Sequence, residues 1–178
     1  MFQRALIVGC PGSGKSTFAR RLRDLTGLPL HYLDMIWHRP DRTNITQAEF
    51  DRRLSEIVAG ERWIIDGNYQ RTIEFRLSRC DAVFLFDLPV EECLSGAAAR
   101  VGRQREDLPW VEETLDGEFR QWIVDFPQNR LPELCEYLAR YREDREITVF
   151  HTRREAEDYL AGLSRLLSRD EKSSMIPI

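Results

Sequence analysis

The sequence predicts an α/β protein with a parallel sheet covered by helices on both faces. Three observations carry that expectation. Short, nearly all-apolar runs such as ALIV, WII and AVFLF recur along the chain, as strands buried on both faces do. Longer segments with apolar residues at helical spacing lie between them. The first apolar run ends in a glycine-rich turn, GCPGSGKST, that leads directly into a helical pattern, the strand–turn–helix unit of open α/β sheets.

Taken in order, Arg4–Val8 reads as the first buried strand. A helix over Ser16–Leu25 follows, with Phe18, Leu22 and Leu25 on one face, and Gly27 and then Pro29 close it. Leu30–Asp34 is the second strand and His38–Ile45 a polar loop. Thr46-Gln47-Ala48-Glu49 is a capping box, and Phe50, Leu54, Ile57 and Val58 form the stripe of the helix behind it, which Gly60 ends. Trp63–Asp66 is the third strand, broken by Gly67-Asn68, and Thr72–Ser78 a short helix. Ala82–Asp87 is the fourth strand, stopped by Pro89. Val90–Arg100 is helical and runs into the arginine-rich stretch 100–105. Val111–Phe126 and Leu131–Arg142 read as two helices separated by Pro127. Ile147–Phe150 is the fifth strand, and Thr152-Arg153-Arg154-Glu155 is a second capping box that opens the last helix. A single domain over 1–170, with a lid at about 100–120 and a loose polar tail over 171–178, is the expected organisation.

Composition narrows the function classes. The 178 residues are 42% hydrophobic and 31% charged, an ordinary globular balance. A formal net charge of −4 implies no general nucleic-acid-binding surface, so no direct nucleic acid partner is expected. No apolar run reaches membrane-spanning length, and MFQRALIVGC enters a strand rather than forming a signal peptide, so no membrane association is expected. Cys10, Cys80, Cys93 and Cys135 form no C-x-x-C pair, which speaks against a zinc site or disulfide framework and fits a reducing, cytoplasmic setting. His31, His38 and His151 lack metal-ligand spacing, and the four tryptophans read as packing residues.

The glycine-rich turn carries the chemistry. Gly9, Gly14, Lys15 and Ser16 match G-x-x-x-x-G-K-[ST], the P-loop pattern. Within Gly9, Pro11, Gly12, Ser13, Gly14, Lys15, Ser16 and Thr17, the glycines let successive N–H groups face one concavity, and the helix N-terminus adds positive potential there. Of 26 Lys and Arg residues only Lys15 and Lys172 are lysine, and a compact cation on a flexible stem suits β- and γ-phosphate oxygens. Ser16 would offer its hydroxyl to Mg²⁺.

Ligands bind at the carboxyl ends of strands in such sheets, which draws attention to three acids. Asp66, in WIIDGNY, is either a carboxylate beside Mg²⁺ or an Asp-Gly turn. Asp34, in HYLDMIW, either faces an acceptor, as ligand or base, or is a helix cap or surface-turn residue. Asp87, before Leu88-Pro89, reads as a cap. Arg100, Arg103 and Arg105 either neutralise a migrating phosphoryl group from a closing lid or decorate a solvated helix end. Arg39 and Arg71 lie near the second and third strand ends and are candidates for an acceptor phosphate.

The order of P-loop, HYLDMIW, WIIDGNYQRT, DAVFLFDLP, arginine-rich lid and final strand–helix resembles the adenylate-kinase-related family of topology modulation (FlaR-like) proteins, from about Arg4 to Leu160. The resemblance implies the nucleoside-monophosphate-kinase fold of the P-loop NTPases, a three-layer α/β/α arrangement with a five-stranded parallel sheet in the order 2-3-1-4-5. It implies an acceptor region after the second strand and a lid after the fourth. It implies ATP phosphates on Gly12, Gly14, Lys15, Ser16 and Thr17, and it matches Asp66 to the acid of the adenylate kinase D-G-[FY]-P-R segment, with Arg71 one position late. The T-G-D-x-x-R signature for AMP is missing, and YLDMIWHR is closer to a cytidylate kinase segment. The expected activity is therefore Mg²⁺-ATP-dependent phosphoryl transfer to a nucleotide or other small acceptor, by a monomer or weak homodimer. The rival is a nucleotide-binding regulator with weak ATPase activity and no dedicated acceptor.

Overall fold

A computed structural model describes residues 2–174. Five strands, β1 (Arg4–Gly9), β2 (Leu30–Tyr32), β3 (Trp63–Asp66), β4 (Ala82–Phe86) and β5 (Glu146–Phe150), form one parallel sheet in the order β2-β3-β1-β4-β5. This is the strand order expected of the P-loop nucleoside-monophosphate-kinase-like fold. Among the described residues, eight α-helices lie between or after the strands: α1 (Lys15–Thr26), α2 (Leu33–Trp37), α3 (Gln47–Ala59), α4 (Ile73–Leu77), α5 (Val90–Ala98), α6 (Gly117–Asn129), α7 (Leu131–Arg140) and α8 (Arg153–Ser174). The tail expected at 171–178 begins inside α8, and 175–178 lie outside the described residues.

Strand alternation divides the interior in two. Ala5 and Ile7 of β1 point toward Phe18 and Leu22 of α1, Cys93 of α5, Ile123 of α6 and Leu160 of α8. Leu6 and Val8 point the other way, toward Leu54 of α3, Leu77 of α4 and Leu138 of α7. Phe18 is the hub of the first layer, with ring centroids 5.0 Å from Phe84, 5.4 Å from Phe86 and 5.3 Å from Phe150.

Three expectations need correcting. The second strand stops at Tyr32, and Asp34 sits in the first turn of α2. The helix expected from Val111 begins only at Gly117, because Asp116 caps it by accepting from the Phe119 N–H at 2.8 Å. Pro127 lies inside α6 rather than between helices; the break falls at Arg130. A proline there deprives the carbonyl four residues earlier of its donor. That carbonyl belongs to Ile123, and the Cys10 thiol faces it at 3.9 Å, substituting for the missing N–H.

Candidate active site

β1 leaves the sheet at Gly9 and the chain turns back into α1 through a loop that only glycine can build. A Cβ on Gly9 would lie 2.2 Å from the Phe86 carbonyl oxygen, and one on Gly12 would lie 2.0 Å from the Cys93 carbonyl oxygen of α5. The loop is therefore pressed against β4 and α5. Ser13 is fully buried, and its hydroxyl has no hydrogen-bond partner among the described residues. Gly14 precedes α1 in a left-handed conformation and contributes no side-chain cap. The N–H groups of Lys15, Ser16 and Thr17 thus open the helix without intrahelical acceptors. Thr17 is exposed and accepts from Arg20 at 3.2 Å, while Pro11, Lys15 and Ser16 line the main cleft.

Lys15 Nζ donates to the Cys10 carbonyl at 2.8 Å, folding over the mouth of the loop. Burial lowers its pKa, and the nearby Asp66 charge opposes that shift. Asp66, at the end of β3, is 6% exposed. Burial raises its carboxyl to about 6, against the opposing pull of Lys15 and the Ser16 hydroxyl; Asp34 and Asp107 push it up further. Its Oδ1 is buried with no partner among the described residues. An orphaned carboxylate oxygen beside a phosphate cradle and a serine hydroxyl fits Mg²⁺, which is held by one or two protein groups together with substrate phosphates. Among the described residues, no three or more His, Cys, Asp or Glu are grouped for a metal ion.

The segment after Asp66 is built with unusual care. Asn68 accepts from the Gly9 N–H and donates to the Gly9 carbonyl, both at 2.9 Å. Tyr69, a non-glycine residue with φ of 37°, stacks on Phe50 at 5.1 Å and meets Trp37 edge-on at 6.5 Å. Its hydroxyl donates to Asp34 Oδ1 at 2.8 Å. Arg76, fully buried on α4, donates to the carbonyls of Gly67, Asn68, Tyr69 and Thr72.

Residues 99–116, between α5 and α6, contain no helix or strand and are tied down across the cleft. Arg105 donates to Asp107 and to Glu112, both at 3.0 Å, and Gly102 N–H donates to the Glu112 carbonyl at 2.7 Å. Arg100 lies 3.2 Å from Glu112 and 5.4 Å above the Phe119 ring; burial and Arg105 lower its pKa. The Trp110 ring meets His38 at 5.0 Å, closing the far side.

The result is a cleft of about 790 Å³ whose lining includes Lys15, Ser16, Asp34, Asp66, Arg71, Arg100 and Arg105. Seven expected site residues do not line it: Arg103 is exposed on the 99–116 segment, Arg39 lies on the turn after α2, and Gly9, Gly12, Ser13, Gly14 and Thr17 belong to the loop and helix start behind it. Arg71 reaches the rim already paired with Asp51 at 2.6 Å. A smaller cavity of about 280 Å³ lies on the other side of the loop, lined by Gly12, Ser13, Thr17, Gly96 and Arg153 among others. Arg153 donates there to the carbonyls of Gly12 at 3.2 Å and Glu92 at 2.8 Å.

Sequence reasoning missed Asn68, Arg76 and Arg153. Arg76 left a signal, since it occupies an i+3 position of the stripe Ile73–Leu77, where a core side chain belongs. The other two act through backbone partners 59 and 141 positions away, which no local pattern reveals.

No protein-family model and no curated protein sequence matches the chain. Solved structures do match its fold. A shikimate kinase from Acinetobacter baumannii in complex with shikimate aligns with a TM-score of 0.58 at 21% identity, covering 96% of this chain and 95% of that one. A shikimate kinase from Bacteroides thetaiotaomicron aligns at 0.57 and 17% identity over 94% and 99% of the two chains. A gluconokinase from Sinorhizobium meliloti aligns at 0.52 and 15% identity over 97% of each. At these identities the likeness establishes the fold.

Proposed function

We propose that this chain is a Mg²⁺-dependent phosphotransferase that moves the γ-phosphoryl group of ATP to a hydroxyl on a small acceptor. The observation carrying this reading is one cleft that joins an anion-ready loop to two carboxylates in different environments. Asp66 is buried with an unsatisfied oxygen. Asp34 lies across the cleft and is oriented by the Tyr69 hydroxyl. A nucleotide-binding regulator needs the loop and Asp66 but has no use for a braced carboxylate facing an open cavity.

The division of labour follows from the side chains. Lys15 and the first-turn amides of α1 hold the donor phosphates. Ser16 and Asp66 would hold Mg²⁺, which would supply neutralisation of the donor phosphate charge. Arg100 and Arg105 face the cleft from the lid, which would exclude water, and Glu112 and Asp107 pair them here, so the charge they add is partial. Asp34 accepts the proton of the acceptor hydroxyl as that oxygen attacks. A hydroxyl acceptor fits better than a phosphate acceptor. Of the two arginines proposed to bind such a phosphate, Arg39 is outside the cleft and Arg71 is engaged by Asp51. The names of the aligned structures, shikimate kinase and gluconokinase, point to the same acceptor class.

The test is incubation with Mg²⁺-ATP and two acceptor panels, hydroxylated acids and sugars in one, nucleoside monophosphates in the other. ADP release that depends on a member of the first panel and collapses in Asp34→Asn through kcat, with little change in KM, supports the proposal. Release that depends on a nucleoside monophosphate replaces the acceptor class. Slow release indifferent to both panels replaces the kinase with the regulator.

A further inference from the structure

The last pairing of β1 with β3 is Ile7 with Asp66, reinforced by the Gly67 N–H donating to the Ile7 carbonyl at 3.2 Å. Two residues on, Gly9 has β4 on one side but no strand on the other; it aligns with Phe86, and a Cβ there would strike the Phe86 carbonyl. Asn68 fills the missing side. Its primary amide presents one donor and one acceptor, as a peptide group does. Both are used on Gly9, so that a side chain adds one more rung to the sheet where the phosphate loop begins.

That rung is held by Arg76. Its guanidinium collects the carbonyls of Gly67, Asn68, Tyr69 and Thr72, and no carboxylate pairs with it among the described residues. A buried cation without a counter-ion is tolerated only where hydrogen bonds replace its hydration. Packing alone would have been served by an apolar residue at this core position of α4. The segment shaped by Arg76 also carries Tyr69, which braces Asp34.

We propose that Asn68 is a positioning residue that fixes the phosphate loop at Gly9, with Arg76 holding Asn68 and Tyr69 so that the loop and Asp34 keep one relative geometry. The consequence for ligand binding rests on the phosphotransferase reading; the contact between Asn68 and Gly9 does not. The experiment therefore has two readouts on folded protein: amide hydrogen exchange at Gly9, and Mg²⁺-ADP affinity by calorimetry. Asn68→Ala removes two hydrogen bonds, so Gly9 exchange should accelerate and Mg²⁺-ADP affinity should fall, each by roughly 10-fold. Arg76→Met should move both in the same direction, and Arg76→Lys should recover part of each loss. Thr46→Ala, which weakens the distant start of α3, should lower the thermal midpoint while moving neither. A folded Asn68→Ala protein with wild-type Gly9 protection and wild-type affinity overturns the inference, as does a Thr46→Ala protein that moves both. Should Asn68→Ala fail to fold, Asn68→Ser decides on the same readouts. If the wild type binds no Mg²⁺-ADP, the phosphotransferase reading fails and Gly9 protection alone decides the positioning role.

Discussion

α3 begins with Thr46, whose hydroxyl accepts from the Glu49 N–H at 3.2 Å, and its first turn carries that glutamate. α1 begins with Gly14, which caps nothing, and its first turn carries no acid but opens on Lys15. α6 and α8 follow α3: Asp116 caps α6, and Thr152 and Glu155 cap each other's N–H groups at the start of α8; α5 and α7 also lack a side-chain cap but carry Glu91, Glu92 and Glu133 in their first turns. A side-chain cap contributes about 1 kcal/mol and a first-turn carboxylate roughly 0.3–1 kcal/mol, so α1 forgoes both and adds a cation where the helix dipole opposes one. Gly14, with φ of 108°, holds a backbone conformation strained for the residue types that cap helices. The difference leaves the first amides of α1 without a side-chain acceptor or a first-turn acid, and the proposed phosphate site rests on that. Asp66 is the other unsatisfied group of the cleft, with a buried oxygen that has no partner among the described residues.

The largest expected effect is at Lys15. Lys15→Arg keeps the charge at the bare helix start but replaces a point charge that fits over the Cys10 carbonyl with a wide planar fork. The variant should fold with a near-native thermal midpoint and lose phosphoryl transfer by roughly 10²-fold or more. Wild-type turnover in that variant breaks the comparison, because the start of α1 would then need only a charge.

Asp66→Asn comes next, with a comparable expected loss of about 10²-fold in kcat and a distinctive pH signature. The folded carboxyl titrates at about 6, above its ordinary value near ~3.9. A proton is therefore held more tightly in the fold, and the stability it brings is full below pH ~4 and lost as pH rises through about 6. Metal-free wild type should lose thermal midpoint relative to Asp66→Asn across that window. Mg²⁺-ADP affinity should run the other way, rising through the same window in the wild type and staying flat in the variant. Parallel melting curves from pH 4 to 7 would leave Asp66 a turn residue without the burial strain assigned to it.

Much of this was legible in advance because the strands are buried on both faces. β1, β3 and β4 appear as near-continuous apolar runs, and the structure places each within one residue of its expected bounds. The glycine-rich loop was legible because its requirements are local: glycines, then Lys15 and Ser16 at fixed spacing. What escaped depends on distant parts of the chain. Pro127 reads as a helix breaker until a thiol from residue 10 is placed against the carbonyl it strands. Asn68 reads as half of a turn until Gly9 lies beside it. Arg39, Arg71 and Arg103 were plausible from position alone, but long side chains go where counter-ions or solvent draw them; Asp51 holds one and solvent takes the other two.

The smallest effect, and the sharpest test of the comparison, comes from exchanging a feature of the two helix starts. Thr17 is the third residue of α1, as Glu49 is the third of α3. Thr17 is exposed, with Arg20 one turn ahead, so Thr17→Glu gives α1 the carboxylate α3 already has without disturbing the core. The ligand-free protein should gain roughly 0.3–1 kcal/mol from charge–dipole complementarity. Mg²⁺-ADP affinity should fall, on the order of 10-fold, because the new charge competes with the phosphates for the same amides and for Lys15. Thr46→Ala is the reciprocal change. It should cost α3 about 1 kcal/mol and leave nucleotide affinity untouched. Denaturant titration and calorimetry on the two variants give four numbers with a required pattern: stability up and affinity down for one, stability down and affinity unchanged for the other. If Thr17→Glu stabilises the protein and binds nucleotide as before, the bare start of α1 serves no anion, and the case for a phosphate site there fails with it.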